Sequence, residues 1–264
     1  MYIADNYKAH EKHFADLFAD EKERESRIKA VTDYGSEHYA RNSKILELAL
    51  PFCKGRNYWL IVGDYNGFEA HWLGKRGQNA LASNIECSFL CEAYKRKLIN
   101  DYLKINALEI GRLFLEDSFD YVLCKESLHH MPLPFEALRN MLHVASKAVI
   151  VLGEPNDPQL SMPSLMLLRN VLDRFNKKWI KKIWKNQESY EYVYETFPIM
   201  PYKEKLNYVY KFSRREIEKF CDALDLKVEF TFSNLNKGIF YKLLNKLHIV
   251  CPSHISFIIY KDEK

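Results

Sequence analysis

Two adjacent histidines, His129 and His130, offer the most direct chemistry in this sequence. They lie in the segment Cys124-Lys-Glu-Ser-Leu-His-His-Met-Pro132, which leaves a predicted strand. The unperturbed pKa of an imidazole is about 6.5, so either histidine could act as a general base near neutral pH. Glu126 or Glu154 could hold the imidazole tautomer. Because adjacent residues usually face different ways, we expect at most one of the two histidines to be catalytic, while the other packs or caps the next helix.

A glycine turn is the second candidate site, in the segment Tyr58-Trp-Leu-Ile-Val-Gly-Asp-Tyr-Asn-Gly-Phe-Glu-Ala-His-Trp72. Gly63 and Gly67 follow a short apolar run, and an amphipathic segment begins at Phe68. A strand that passes through such a turn into a helix brings backbone N–H groups up to a nucleotide-like ligand. Tight packing of a strand against a helix also uses glycine, so the turn alone does not identify a ligand.

Polar residues also follow the later apolar runs. Asn84 or Glu86, about 20 residues after the turn, could reach the ribose hydroxyls of a nucleotide. Glu109 could accept a hydrogen bond from an adenine amino group, and Glu154 could form part of a pocket wall. The same residue types are common in ordinary turns, so the structural interpretation stays open at each position.

The elements that must position these residues alternate short apolar runs with amphipathic helices, which predicts βαβ units and a parallel sheet. The predicted strands are Trp59–Val62, Ala80–Asn84, a weak run near Lys104–Leu108, Tyr121–Cys124, Ala148–Leu152, Lys227–Phe232 and Ile255–Tyr260. The predicted helices include Asn42–Leu50, stopped by Pro51, Phe68–Lys75, Ser88–Asp101, Phe135–Ala145 and one opened by a capping box of Ser213 and Glu216.

We therefore predict an α/β, Rossmann-like fold with a seven-stranded, mostly parallel sheet and helices on both faces. Residues 1–50 are predicted to form a helical N-terminal cap. Residues 51–155 and 211–264 are predicted to form the core. Residues 156–210, rich in Lys, Tyr, Trp and Phe, are predicted to form a substrate-binding insertion or lid.

Composition limits the classes of protein. Of the 264 residues, 47% are hydrophobic and 28% charged, which is typical of a soluble globular chain. No apolar run approaches the roughly 18 residues of a membrane span, and the N-terminus lacks a secretory signal pattern, so we expect a cytoplasmic protein. The six cysteines show no Cys-x-x-Cys spacing, so we expect reduced thiols and no metal site. A net charge of +4 is too small to indicate a nucleic-acid partner.

Several of these segments, in their order and spacing, resemble the class I S-adenosylmethionine-dependent methyltransferases, and in particular the type 11 methyltransferases. The resemblance covers roughly residues 45–156 and resumes at Phe212. The segments that carry it are Val62-Gly-Asp-Tyr-Asn-Gly67, Ala82–Glu86, Glu109–Leu113, Ser118-Phe-Asp-Tyr-Val-Leu-Cys124, Leu128-His-His-Met-Pro132 and Val149-Ile-Val-Leu-Gly-Glu-Pro155.

The resemblance implies S-adenosyl-L-methionine as cofactor and S-adenosyl-L-homocysteine as product. The methionine part of the cofactor would lie beside the glycine turn, its ribose near the second strand and its adenine after the third strand. The end of the fourth strand would flank the methyl group. The implied cofactor residues are Gly63, Asp64, Tyr65, Gly67, Asn84, Ile85, Glu109, Ile110 and Lys125, with Glu126 beside the methyl group.

This chain departs from the family pattern at three places. Ile61 stands where the family has an acidic residue, and Asp64 could take over the role of that acid. Tyr65 and Asn66 fill turn positions that the family keeps small. Asn84 replaces the usual ribose carboxylate, which keeps hydrogen-bonding capacity but loses the charge.

Methyl transfer from a sulfonium to an alcohol requires alignment and removal of the alcohol proton. We predict O-methylation of a small polar acceptor, such as a sugar or nucleotide-sugar in polysaccharide or natural-product assembly, with His129, His130 and Glu126 as catalytic residues. The aromatic and basic insertion indicates substrate contacts at Trp179 and Tyr194, together with Glu154. Its lysines favour an anionic acceptor, and they leave peripheral membrane contact open. The alternatives are an RNA or protein methyltransferase and a non-catalytic binding protein with this fold.

Overall fold

The computed structural model describes residues 2–157, 190–192, 208–233 and 252–261. Seven strands form one sheet in the order β3-β2-β1-β4-β5-β9-β8, in which β1 to β5 are parallel and β9 is antiparallel to both neighbours. This confirms the predicted seven-stranded, mostly parallel sheet. The strands are β1 (Tyr58–Val62), β2 (Asn79–Asn84), β3 (Asp101–Lys104), β4 (Phe119–Lys125), β5 (Ala145–Pro155), β8 (Lys227–Ser233) and β9 (His254–Tyr260), and β6 (Tyr190–Tyr192) pairs separately with β7 (Tyr208–Tyr210).

Helices cover both faces of this sheet. They are α1 (Tyr2–Ala19), α2 (Glu21–Lys29), α3 (Glu37–Leu46), α4 (Phe68–Gly74), α5 (Ser88–Lys95), α6 (Ile110–Leu113), α7 (Pro134–Val144) and α8 (Arg214–Asp222), with 3-10 helices at Glu47–Phe52 and Leu128–His130. Ser213 and Glu216 form the predicted capping box of α8. None of the helices in the described ranges is long and apolar enough to cross a membrane.

The central strand β1 is apolar throughout its interior because it is buried on both faces, as parallel strands usually are. Leu60 and Val62 face one core, which α7 and α8 complete. Trp59 and Ile61 face the other core, which α4 and α5 complete. These two cores hold the strand ends in fixed positions, and the candidate residues lie at the carboxyl ends of the parallel strands.

Three predicted boundaries were wrong. Helix α5 ends at Lys95 rather than Asp101, because the chain turns through a left-handed residue at Lys97, φ 58°. Strand β3 therefore begins earlier and ends at Lys104, where the predicted run only began. Asn106 then makes a turn in which its Oδ1 accepts from the Leu108 N–H at 3.0 Å. Pro51 lies within the 3-10 helix after α3, which itself ends at Leu46.

Candidate active site

The glycine turn closes tightly against the loop that follows β4. Gly63 and Gly67 have φ values of 83° and 85°, in the left-handed region that favours glycine. A Cβ at Gly63 would collide with the Ser127 side chain, whose Oγ donates to the Gly63 carbonyl at 3.1 Å. Only a residue without a side chain fits here, which brings the backbone of the turn to the edge of the sheet.

Asp64 maintains the shape of this turn. Its carboxylate is buried and accepts from the N–H groups of Gly67 at 2.8 Å and Ala70 at 2.9 Å, at the start of α4. Burial and the neighbouring Glu69 carboxylate raise the pKa of Asp64 well above its ordinary value. Its hydrogen bonds stabilise the turn, and it does not line either cavity beside that turn.

The two bulky residues of the turn point toward the N-terminal helices. The Tyr65 hydroxyl accepts from Arg27 Nη1 of α2 at 3.3 Å, and its ring stacks on Phe14 of α1 with centroids 5.6 Å apart. Asn66 Nδ2 donates to the Arg27 carbonyl at 3.0 Å. The departures of this turn from the family pattern are thus the residues that contact α1 and α2.

A larger cavity of about 380 Å³ lies between the strand ends and α1. From the sheet side it is lined by Val62, Gly63, Tyr65, Asn84, Ile85, Ile105, Asn106, Ala107, Glu126, Ser127, His130 and Met131. The opposite wall comes from the N-terminal helices, through Tyr7, His10, His13, Phe14, Leu17 and Arg27. Such a volume falls in the range of small-ligand pockets.

Two titratable groups on the α1 side of the larger cavity, Tyr7 and His13, are held neutral. Burial raises the pKa of Tyr7 to about 12. Burial and the positive charge of Arg27 lower the pKa of His13 to about 4. Near neutral pH the part of this wall that α1 contributes therefore presents aromatic rings and uncharged hydrogen-bonding groups, beside the charged Arg27 of α2.

A smaller cavity of about 180 Å³ shares four residues with the larger one: Gly63, Tyr65, Glu126 and Ser127. Charged groups dominate the rest of its lining. Lys125 Nζ lies 2.9 Å from Glu69 Oε1 and 3.2 Å from Glu126 Oε2, and Arg41 Nη2 lies 2.8 Å from Glu126 Oε1. Two cations and two carboxylates therefore form one ionic network.

Coulombic pairing favours the charged forms of Lys125 and Glu126. Burial disfavours the charge on Lys125, but Glu69 and Glu126 outweigh burial and raise the pKa of its ammonium above the ordinary value. Burial likewise opposes the charge on Glu126, but Lys125 and Arg41 lower the pKa of that carboxyl. Glu126 is held at φ 48°, in the left-handed region, beside Gly153, where a Cβ would contact the Glu126 side chain.

His129 and Glu154 form a buried pair at the ends of β4 and β5. The carboxylate of Glu154 accepts from the backbone N–H groups of residues 127, 128 and 129 at 3.0–3.1 Å, and from His129 Nδ1 at 2.6 Å. Both oxygens act as acceptors, which fits an ionised carboxylate and an Nδ1–H tautomer of His129. The ring centroids of His130 and His129 are 3.9 Å apart, and His130 lines the larger cavity.

The structure brings many of the sequence-predicted site residues together. Those lining the larger cavity are Gly63, Tyr65, Asn84, Ile85, Glu126 and His130, and Lys125 lines the smaller one. Asp64, Gly67, His129 and Glu154 lie behind the cavity walls. Trp179 and Tyr194 lie outside the described residues.

The residues predicted for the adenine contact lie away from both cavities. Glu109 is exposed at the start of α6, and Ile110 is buried in the core. Because β3 ends about four residues earlier than predicted, Asn106 and Ala107 occupy the place after that strand. The earlier end of β3 explains why Asn106 and Ala107, rather than Glu109 and Ile110, line the larger cavity.

The sequence interpretation also missed the wall contributed by α1. Its lining residues recur every three or four positions, a spacing that places them on one face of a helix. They are Tyr7, His10, His13, Phe14 and Leu17. This aromatic and histidine-rich stripe was present in the sequence, but nothing there indicated which surface it covers. Ser127 and Arg41, one on each side of the glycine turn, were also missed.

Comparison with known proteins agrees with this geometry. Residues 60–152 match the family model described as a methyltransferase domain. That range runs from β1 to β5 and includes the glycine turn and the Glu126–His130 segment. This stretch of the chain is therefore similar to a methyltransferase domain. No curated protein matches the chain.

Solved structures of methyltransferases share the fold of this chain. A methyltransferase of Archaeoglobus fulgidus, described as S-adenosylmethionine-dependent, is 15% identical, with a TM-score of 0.55 over 86% of this chain and 95% of that one. Magnesium protoporphyrin IX methyltransferase of Synechocystis, with bound S-adenosylhomocysteine, is 14% identical, with a TM-score of 0.53 over 93% and 97%. The 1,6-didemethyltoxoflavin-N1-methyltransferase of Burkholderia thailandensis is 10% identical, with a TM-score of 0.55 over 97% and 88%. At these identities the likeness shows the fold alone.

Proposed function

We propose that this chain is an S-adenosylmethionine-dependent methyltransferase that methylates a hydroxyl group of a small polar acceptor. The observation that carries the proposal is the larger cavity, which lies at the carboxyl edge of a methyltransferase domain between the glycine turn, Asn84 and Asn106. In open α/β sheets this edge is where ligands bind. The structural neighbours that contain S-adenosylmethionine or S-adenosylhomocysteine support the same cofactor.

The two cavities suit the two ends of this cofactor. The aromatic rings and amides in the lining of the larger cavity, including Asn84 and Asn106, suit an adenosine, whose base and ribose are uncharged. The smaller cavity suits a zwitterionic amino acid, because Arg41 and Lys125 are available to a carboxylate and Glu69 and Glu126 to an ammonium. We assign the cofactor on this basis, with Gly63, Tyr65, Asn84, Ile85 and Lys125 among its contacts.

The cofactor supplies an electrophilic methyl group on a sulfonium. The residues of this chain must align the acceptor and remove its proton. His130 faces the larger cavity, and the Nδ1–H of His129 is fixed by Glu154, which leaves the Nε2 lone pair of His129 as a proton acceptor. We propose that one of these two imidazoles is the general base and that Glu126 borders the transferred group.

The acceptor class rests on the sequence. A sugar or nucleotide-sugar presents several hydroxyl groups and suits the tyrosines and lysines of residues 156–210. Most of that segment, with Trp179 and Tyr194, lies outside the described residues. The buried His129–Glu154 pair supports a proton-abstracting reaction, which a hydroxyl acceptor requires and an already ionised acceptor does not.

The cofactor assignment can be tested by calorimetric titration with S-adenosylmethionine and S-adenosylhomocysteine. We expect saturable binding at a ratio of one, with both ligands competing for one site. Absence of binding at high micromolar concentrations would overturn the proposal and would favour a binding protein of another kind.

The acceptor chemistry can be tested with tritium-labelled cofactor and a panel of sugars, nucleotide-sugars, amines and RNA. The variants His129→Ala and His130→Ala are compared with wild type for both turnover and cofactor affinity. We expect one of them to lose on the order of 10²-fold or more in kcat with cofactor affinity retained. Full turnover by both variants would show that neither imidazole is the base, and labelling of amines or RNA alone would show that the acceptor is not a small alcohol.

A further inference from the structure

The cavity-facing side of the paired helices α1 and α2 is held by a small set of polar and aromatic contacts to the glycine turn, made by Phe14 of α1 and Arg27 of α2. Arg27 is central, because its side chain donates to the Tyr65 hydroxyl and its carbonyl accepts from Asn66. The Arg27 guanidinium also lies over the Tyr65 ring, 5.8 Å from the centroid, while Phe14 of α1 stacks on the same ring. We call these contacts of Tyr65, Asn66, Arg27 and Phe14 the latch.

A second set of contacts holds the far end of the same helices. Phe18, near the end of α1, packs edge-on against Phe89 of α5 with ring centroids 5.2 Å apart, and Ile28 of α2 is buried in the core. These apolar contacts do not depend on the cavity. The end of α1 that carries Phe18 can therefore stay anchored while the part that carries Tyr7, His10 and Phe14 moves.

The remaining described contacts from α1 and α2 to the sheet domain include exposed ion pairs, Lys104 with Glu11 and Arg96 with Glu25. Ion pairs in such exposed positions contribute little to stability. The latch, in contrast, is part-buried and lies at the cavity wall itself. Its contacts therefore distinguish α1 lying over the cavity from α1 displaced from it, together with the rings of His10 and His130, whose centroids are 5.5 Å apart.

We propose that Tyr65, Asn66 and Arg27 are positioning residues, and that the latch they form with Phe14 holds α1 over the larger cavity and sets the residence time of the cofactor. The inference rests on the proposed function, since it concerns the same cavity. It also explains the bulk of the turn, because a small residue at position 65 could not contact Phe14 and Arg27. Release of a bound ligand then requires the latch to open, so weakening the latch accelerates dissociation.

This role predicts a specific kinetic pattern. For Asn66→Ala and Arg27→Met, which change no residue that we assign as a cofactor contact, loss of the latch should raise the dissociation rate and the KM for the cofactor, while kcat at saturating cofactor stays close to wild type as long as chemistry limits turnover. A residue that only stabilised the fold would lower the melting temperature without this split. The prediction therefore separates a positioning role from a structural one.

The test measures dissociation of S-adenosylhomocysteine by stopped-flow displacement from Tyr65→Phe, Asn66→Ala and Arg27→Met. Tyr65→Phe keeps the ring and its packing, so it protects the test against simple misfolding. For Arg27→Met we expect roughly tenfold faster dissociation, because the substitution removes a charge-assisted hydrogen bond. The matched control is Arg24→Met, which removes a guanidinium from the same helix that lies over Phe18 instead of Tyr65. We expect the control to stay within about twofold of wild type.

Hydrogen exchange of residues 7–17 supplies a second readout, which we expect to accelerate in the three latch variants and not in the control. Three outcomes are distinguishable. Wild type that binds no S-adenosylhomocysteine overturns the proposed function, and the latch with it. If wild type binds S-adenosylhomocysteine but the latch variants show wild-type rates of ligand release and hydrogen exchange, the latch proposal alone is overturned. If Arg24→Met releases S-adenosylhomocysteine as fast as the latch variants do, the effect comes from a general loosening of α2, and the latch proposal is overturned.

Discussion

The two cavities beside the glycine turn share one wall but differ in charge. The larger cavity is bounded by α1, whose wall presents rings and uncharged polar groups, with Tyr7 and His13 held neutral by burial. Among the described residues that line this cavity, only Arg27 and Glu126 are charged. The smaller cavity is bounded by α3, α4 and the end of β4, and an ionic network fills its lining. Gly63 belongs to both.

This difference arises from the elements that reach each cavity. Helix α1 contributes histidines and aromatic residues, whose burial in a partly apolar wall favours their neutral forms. The elements around the smaller cavity contribute Lys125 and Glu69, which can be buried as ions because they pair with each other. They also contribute Glu126 and Arg41, which pair in a more exposed position. The stability of the residues around the smaller cavity therefore depends on each charged residue keeping its partner.

The largest expected effect comes from removing the central cation of that network. Lys125→Met leaves Glu69 and Glu126 buried beside each other without the Lys125 ammonium. Breaking a buried pair in this way costs about 3–5 kcal/mol. Urea unfolding should show this loss, whereas Lys44→Met, at an exposed lysine of α3, should change the free energy of unfolding by less than about 0.5 kcal/mol. If the free energy of unfolding changes by a similarly small amount in both variants, the ionic network around the smaller cavity does not stabilise the fold.

The second prediction concerns the wall that the two cavities share. Gly63→Ala forces a side chain into a left-handed backbone conformation and against Ser127. Together these effects should cost about 2–4 kcal/mol and weaken cofactor binding. The double variant with Ser127→Gly removes the collision but not the backbone strain, so it should recover part of the stability. Full recovery would show that φ at position 63 is not strained, and no recovery would show that Ser127 is not the obstacle.

The sequence predicted the sheet side of the site better than its α1 side. The order of strands, Asn84 and the Glu126–His130 segment follow from local patterns, because polar residues at the ends of parallel strands meet at one edge. The α1 wall could not be predicted in this way, since contact between Phe14 and Tyr65 joins residues 51 positions apart and depends on the path of the chain. Glu109 and Ile110, predicted beside the adenine, do not line either cavity for a local reason: the left-handed turn at Lys97 ends α5 early, so β3 begins and ends earlier than predicted.

The third prediction concerns the uncharged α1 wall of the larger cavity and uses the loss of stability at acid pH. His13 takes up a proton in the unfolded chain near its ordinary pKa of 6.5, but in the folded chain only near pH 4. Between these values the unfolded state binds more protons, so stability falls as the pH falls. Because the ring is half buried, we expect solvent screening to limit the loss to about 1–2 kcal/mol.

His13→Gln should remove this part of the acid sensitivity, measured by urea unfolding at about pH 7 and about pH 4.5. His143→Gln, at an exposed histidine of α7, is the control and should retain the wild-type pH dependence. If both variants lose stability between these pH values as wild type does, His13 is not held neutral by its surroundings. That result would remove the contrast between the two cavities on the α1 side.

The smallest expected effect separates ligand contact from structural hydrogen bonding. Asn84 and Asn140 each donate one amide hydrogen bond to a backbone carbonyl, Asn84 to Glu86 at 2.9 Å and Asn140 to Leu108 at 3.0 Å. Only Asn84 lines the larger cavity. Alanine at either position should therefore lower the free energy of unfolding by about 1 kcal/mol, but only Asn84→Ala should also weaken S-adenosylhomocysteine binding, by roughly fivefold. Equal affinity in the two variants would mean that the ribose does not contact Asn84, because the stability change common to both cancels in the comparison.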